Sequence, residues 1–282
     1  MKIGLVLGGG FAKGSAQAGF MKGLSEYLDP SEICLISASS IGAINGIAYS
    51  NGNMQAMENI YRTTNITSIK NLRIDLKNKI VDDIVNTLTK ENELKIPMYV
   101  TGLSLGTLST HYFYVDANTS NEELHDISNV AVTFPFVNGI CKKKFGRLYI
   151  DGGGTDNIPT LPFMTHKVDL LLILHSYTKY LPPMDLVYDS GAVVIDVDVT
   201  AKCDDTIATY SFRNDNLINM FESGYKYGQE FGQRVFKDRD LEQIKLRGQE
   251  FIREGLELRR PRKSTLTVAV FFNKVMQTRS LR

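Results

Sequence analysis

Apolar and polar positions switch between two periods along this chain. "KIGLVL" (2–7) is apolar on both faces and stops at three glycines. Such a run fits a strand buried between parallel neighbours. Over "KGSAQAGFMKGLSEYL" (13–28) the period lengthens, and Ala16, Phe20, Leu24 and Leu28 fall on one helical stripe. "ICLISA" (33–38) reads as a second buried strand, and "GAINGIAYSNG" (42–52) as a small-residue helix closed by Asn-Gly. Residues 53–95 are polar and helical in character. "PMYVTGLSL" (97–105) and "THYFYVD" (110–116) read as paired strands, and "NEELHDISNVAVT" (121–133) as a helix that "FPF" stops. "GRLYID" (146–151), "VDLLLILHS" (168–176) and "AVVIDVDV" (192–199) add three strands, and helices return from about 206 to 258. Strands interleaved with helices predict an α/β fold, a mostly parallel central sheet with helices on both faces. No linker interrupts the pattern, so residues 1–282 read as one domain. Within it, 53–95 is either a helical lid or part of an outer helical layer, and 206–282 is a helical, basic C-terminal part.

Composition narrows the class. Apolar residues make up 43% and charged residues 22%, as in ordinary globular proteins. A formal net charge of +1 gives no field that would steer the chain to nucleic acid. Cys34, Cys141 and Cys203 are scattered and odd in number, which argues for a reducing, cytoplasmic setting and against a disulfide framework or zinc site. No apolar run approaches the ~20 residues that span a bilayer. The opening "MKIGLVLGGG" reads as a buried strand rather than a secretory leader.

Two segments compete for a nucleophilic serine. "GLSLG" (102–106) fits G-x-S-x-G letter for letter, whereas "ASSIG" (38–42) has Ala38 at the first position. The chemistry requires a strand, a tight turn that lifts the hydroxyl clear of the sheet, and a helix whose amides face the developing anion. That context surrounds Ser40: an apolar strand, a turn, then Gly42 and a helix rich in Gly and Ala. Ser104 lies between two strand-like runs with no helix after it, so Gly102 and Gly106 read as turn or bulge glycines of a hairpin. The plain alternative for Ser40 is a helix N-cap, which Ser39 could fill as well.

"GGGFAKG" (8–14) follows the first strand and opens a helix. Its glycine amides can face an anion at close range. A P-loop would need Lys and then Ser or Thr after the second glycine, but Ser15 follows Gly14 and Lys13 sits one place early. A dinucleotide fingerprint starting at Gly8 and Gly10 would meet Lys13 at its third glycine. An oxyanion hole and a purely structural turn remain. "YIDGGGTDNIPT" (149–160) delivers Asp151 at a strand end into another glycine turn, where a carboxylate can act as a base or cap the loop. Asp156 and Asn157 read as turn residues that hold this loop.

In this order, "LGGGFAKGSAQAGF", "SASSIGAINGIA", "FPFVNGI" and "LYIDGGGTDNIP" resemble the patatin-like phospholipase family of acyl hydrolases, over about residues 1–200. The resemblance implies a Ser-Asp dyad of Ser40 and Asp151. It implies an oxyanion hole from Gly8, Gly9, Gly10 and Phe11, supported by Lys13, Gly14, Gly42 and Gly152. Ala38 replaces the elbow's first Gly, and Phe11 stands where a fourth Gly is common. Phe11 narrows the loop's freedom and places an aromatic wall at the pocket. Of His111, His125, His166 and His175, only His175, at the end of "LLLILH", suits a Ser-His-Asp triad, and a dyad needs none of them.

The expected activity is hydrolysis of acyl esters of phospholipids or other lipids through an acyl-enzyme. A small-ester or thioester hydrolase on the same site is an alternative, as is a silent lipid- or phosphate-binding module. No side chains show metal-ligand spacing, so neither a metal nor another cofactor is expected. Phe134, Pro135, Phe136 and Val137 read either as an acyl slot with Phe11 and Ile41 or as core. The basic end reads as a solvated face or as a transient contact with anionic lipid. "CKKKFGR" (141–147) reads as an exposed hairpin tip. Chain length, positional preference and oligomeric state leave no mark in the sequence.

Overall fold

The computed structural model describes residues 1–66, 80–89, 93–134, 141–177, 180–203 and 209–257. Eight strands form one sheet: β1 (Ile3–Leu7), β2 (Ile33–Ala38), β3 (Met98–Ser104), β4 (Ser109–Val115), β5 (Lys142–Lys144), β6 (Arg147–Asp151), β7 (Leu170–His175) and β8 (Val193–Asp198). The helices are α1 (Gly14–Leu24), α2 (Ile41–Ser50), α3 (Met54–Thr63), α4 (Ile80–Thr89), α5 (Asn121–Ala131), α6 (Pro162–Thr165), α7 (Met184–Asp189), α8 (Asn214–Val235) and α9 (Leu241–Glu257). The strands run in the order β5-β6-β3-β2-β1-β7-β8, with β4 on β3. The pairs β3–β2, β2–β1, β1–β7 and β7–β8 are parallel, and β4, β5 and β6 add antiparallel pairing at one side. The central strands β1 and β7 are buried along their whole length, and almost wholly apolar, because both their faces are covered.

The cover is uneven. Ile3, Leu5 and Leu7 of β1 face the main core, which holds the apolar sides of α1, α2, α3, α4, α5, α8 and α9. Val6, Leu35, Leu171 and Ile173 face a smaller cluster closed by Phe163 of α6 and Leu186 of α7. The sequence pattern catches the long helices and misses α6, α7 and the three-residue β5, which are too short to show a period. In the 53–95 segment, Met57 and Tyr61 of α3 and Val85 and Leu88 of α4 are buried in the main core. These two helices are therefore part of the outer layer, and 67–79 and 90–92 lie outside the described residues. Residues 258–282 lie outside them too.

Helices α1 and α8 meet backbone to backbone. A Cβ added at Gly19 or Gly23 of α1 would lie 2.1 or 2.2 Å from the carbonyl oxygen of Phe221 or Tyr225. One added at Gly224 or Gly228 of α8 would lie 2.1 Å from that of Ala16 or Phe20. Two glycine pairs at i, i+4 thus form facing grooves, each seating the other helix's backbone.

One strand sets the site. β3 pairs with β2 as far as Val100↔Ala38, and then on the same side with β6 from Gly102↔Asp151 onward. β2 and β6 therefore run toward each other along β3 and stop end to end. The residues just past the C-terminal end of β2 and the last residue of β6 fall in one place.

Candidate active site

Ser40 stands at that junction. Its backbone has φ 55° and ψ −132°, outside the regions an L-residue prefers. Such strain, ~1–3 kcal/mol, persists only where the surroundings enforce it. Here β2 delivers the chain, Ser39 N–H donates to the Leu7 carbonyl, and α2 begins at Ile41. A Cβ at Gly42 would lie 2.5 Å from the Leu7 carbonyl oxygen, so the helix can start this close to β1 only from a glycine. Ser40 occupies the N-cap position, but its side chain caps no helix amide. Its Oγ donates instead to Asp151 Oδ2 at 2.6 Å.

Asp151 ends β6 and is 6% exposed. Its Oδ1 accepts the Gly153 amide at 2.7 Å, and its own amide donates to the Thr133 carbonyl. Gly152 presses on β3, where a Cβ would come within 2.4 Å of Thr101 Oγ1. Burial pushes the Asp151 carboxyl up to about 7, against the pull of the Ser40 and Gly153 hydrogen bonds. Near neutral pH the group can both take and return a proton.

The glycine loop crosses over Ser40. A Cβ at Gly9 would lie 2.7 Å from Ser40 Cβ and 2.4 Å from Asn157 Oδ1. One part of the expected oxyanion hole needs correction. The Gly8 amide donates to the Leu174 carbonyl at 2.9 Å and the Gly9 amide to the Asn157 carbonyl at 3.1 Å. Both are committed because the β1–β7 ladder and the Asp151 loop need them. Among the described residues the amides of Gly10 and Phe11 have no such backbone acceptor. Phe11, with φ 51°, opens the turn into α1. Lys13 Nζ donates to the Ser176 carbonyl at 3.3 Å, which ties the loop to the chain after β7.

Three supports escaped the sequence pattern. Gln17 donates to the carbonyls of Gly8 (3.0 Å) and Leu174 (3.1 Å), Asn45 donates to Gln17 and to the Gly14 carbonyl, and Tyr61 donates to Asn45. This buried chain fixes the loop from below, and Gly14 leaves room for it, since a Cβ there would meet Ile41 and the Tyr61 hydroxyl. Asn157 holds the loop from above, donating to the Gly9 carbonyl at 3.1 Å and the Tyr177 hydroxyl at 2.9 Å. Asp156 accepts from Tyr112. Gln17, Asn45 and Tyr61 lie on three different helices, and for them polar residues inside apolar helices are the only hint the sequence offers.

Phe11 packs on Phe134 and Tyr210, with ring centroids 5.2 and 4.9 Å apart. Pro135, Phe136 and Val137 lie outside the described residues. His175 is turned elsewhere: its Nδ1 accepts the Tyr177 amide and its Nε2 lies 3.6 Å from Asp196 Oδ2. Ser104 ends β3, paired with Ser109 and Tyr149, and Gly106 lies in the following turn. Gly102 is a strand residue rather than a turn or bulge. It lets Val130 and Phe113 pack directly on β3. Ser104 Oγ is buried and has no hydrogen-bond partner.

A parallel sheet, a strained serine on a strand–helix elbow and a buried carboxylate in contact with it define a class of serine hydrolase-like sites. The profile of the family described as patatin-like phospholipase matches residues 5–164, and the chain belongs to that family. Among solved structures it is similar to VipD from Legionella pneumophila, with 12% identity, TM-score 0.40, and coverage of 82% of this chain and 66% of that one. It is also similar to the type III effector protein ExoU, with 14% identity, TM-score 0.39, and coverage of 89% and 61%. The chain thus spans less than two thirds of either structure's length. No curated protein matches it. Among the described residues no helix is long and apolar enough to cross a membrane.

Proposed function

We propose that this protein is a serine acyl hydrolase that cleaves acyl esters of phospholipids or other lipids, built as one domain. The observation that carries the reading is the direct 2.6 Å hydrogen bond from a strained serine to a buried carboxyl with raised pKa. Asp151 takes the Ser40 proton as Oγ attacks the ester carbonyl carbon. The tetrahedral oxyanion is held by the amides of Gly10 and Phe11 and by the positive end of α2. Asp151 then gives that proton to the leaving alkoxide as the ester bond breaks. Water attacks the acyl-enzyme, Asp151 accepts its proton, and the fatty acid leaves as the proton returns to Ser40. No histidine and no metal enters this scheme.

The aromatic wall of Phe11, Phe134 and Tyr210 suits an acyl chain, and the family suggests a lipid as its source. Labelling with a fluorophosphonate, combined with a hydrolysis screen on phospholipids and p-nitrophenyl esters, tests the reading. Wild type should label and turn over, whereas Ser40→Ala should do neither. A wild-type protein that is folded yet inert to both would leave a binding module in its place.

A further inference from the structure

The active site opens at the C-terminal edge of the parallel strands, and two hairpins project beyond it on that same edge. β3 continues past Gly102, the partner of Asp151, to the β3–β4 turn at 105–108, and β6 comes back from the β5–β6 turn at Phe145–Gly146. At ~3.4 Å per residue, the five residues from Asp151 to Gly146 set this second tip roughly 17 Å beyond the carboxylate. The Leu105 amide donates to the Leu148 carbonyl, so the two tips form one platform. An open cavity of about 460 Å³ between them is lined by Leu105, Thr107, Arg147 and Leu148, among others.

The tips are built unlike ordinary turns. Leu108 and Phe145 are 59% and 68% exposed, and Leu148 beside them is 46% exposed. Leu108 has φ 51° and Phe145 φ 48°, a region where Gly or Asn is favoured and a bulky side chain is strained. The fold therefore holds large apolar side chains mostly in water at two apices, with Phe145 touching only the edge of the core at Phe113, 6.5 Å between ring centroids, and the Lys144 ammonium. Neither 105–110 nor 141–149 contains Asp or Glu, whereas 142–147 supplies Lys142, Lys143, Lys144 and Arg147. Lys144 is neutralised by Asp126 and Glu123 of α5. Among the described residues Lys142, Lys143 and Arg147 have no ion-pair partner, and all three are exposed.

We infer that the two hairpin tips form a docking platform for an anionic membrane surface, with the apolar apices inserted among headgroups and Lys142, Lys143 and Arg147 on lipid phosphates. Apolar insertion together with basic residues is the combination that holds a soluble domain on charged lipid. The tips project past the Ser40–Asp151 pair on its own edge of the sheet, so docking there turns that pair toward the same surface. A lipid is then drawn up from the surface to the site. The orientation rests on the proposed lipid hydrolase reading, whereas the surface contact itself does not.

The test uses the full-length Ser40→Ala protein in co-sedimentation with phosphatidylcholine vesicles, with and without phosphatidylserine. It should bind the anionic vesicles, and less so as salt rises. Adding Lys142→Gln, Lys143→Gln and Arg147→Gln together should weaken binding about 100-fold, at about fivefold per basic residue. Leu108→Asn with Phe145→Asn should weaken it at least about tenfold. Because Asn suits positive φ, that pair should keep or raise the melting temperature, which separates lost docking from lost folding. In the Ser40 background all the tip variants should turn over a soluble p-nitrophenyl ester like wild type. Unchanged vesicle binding in both sets, or no binding by the starting protein, would overturn the inference and leave the hydrolase reading standing. Tip-dependent binding by a protein that labels with no fluorophosphonate would do the reverse.

Discussion

"GLSLG" at 102–106 and "ASSIG" at 38–42 are nearly the same word, and the molecule treats them as opposites. Ser104 keeps the better match to the motif and lies in ordinary strand backbone, its hydroxyl buried without a partner. Ser40 has the poorer match, a strained backbone, a following helix and a carboxylate 2.6 Å away. What differs is the next element. After Ser104 the chain turns back into β4, so neither amides nor a helix dipole converge there. After Ser40 it enters α2, and the strand pairing along β3 brings Asp151 to it. The letters of the motif describe a turn, and only the elements on either side decide whether the serine in it can react.

The sharpest way to break the contrast is to remove each hydroxyl. Ser40→Ala should lower ester turnover by about 10⁴–10⁶ and abolish fluorophosphonate labelling, because nucleophile and base act as a unit. Ser104→Ala should stay within about twofold of wild type, since an unpaired buried hydroxyl holds nothing together. If Ser40→Ala keeps a tenth of the rate, the contrast is wrong.

The neighbouring glycines give the next effect. A Cβ at Gly9 has no room between Ser40 and Asn157, whereas one at Gly106 meets nothing within 4 Å. Gly9→Ala should shift the loop and lower kcat by about 10²–10³, the scale for losing an oxyanion donor. Gly106→Ala should be silent in the same assay. A fully active, folded Gly9→Ala enzyme would make the loop only a turn.

A third measurement follows the proton. Asp151 acts as a base only when ionised, and its carboxyl is pushed up to about 7. The kcat/KM for a p-nitrophenyl ester should rise about tenfold per pH unit below 7 and level off above it. A profile flat from pH 5 to 8 would point to a different base.

The smallest effect is on stability, and its sign is opposite. The carboxyl has a higher pKa folded than unfolded, so the folded protein binds the extra proton between about pH 4 and 7. Stability from this group is therefore full below pH 4 and is lost as pH rises through 7. Asp151→Asn should raise the melting temperature at pH 8, by the equivalent of a few kcal/mol at most, and the gain should shrink toward pH 4. An Asn variant that melts lower at every pH would mean that the carboxylate supports the fold.

Much of this contrast was legible in sequence because its signals are local. A strand that ends in small residues before a helix, and an aspartate at a strand end among glycines, can each be read within ten residues. What stayed hidden depends on pairing across the chain. Gly8 and Gly9 read as oxyanion donors until β7 and the Asn157 carbonyl claim their amides. Gln17, Asn45 and Tyr61 are unremarkable polar residues until three helices bring them together beneath the loop. The meeting of β2 and β6 along β3 has no counterpart in either segment alone. The short β5, α6 and α7 fall below the length at which a period can be seen.

The glycine grooves between α1 and α8 bear on where this protein can be cut. The family profile ends at residue 164, but α8 begins at Asn214. α1 starts directly after the glycine loop and has its backbone seated against α8, and the loop's first amide is held by Leu174 of β7. A fragment ending at 164 would carry Ser40 and Asp151 and yet leave the glycine loop without these two contacts. Dissection of this chain should therefore keep everything through Val235.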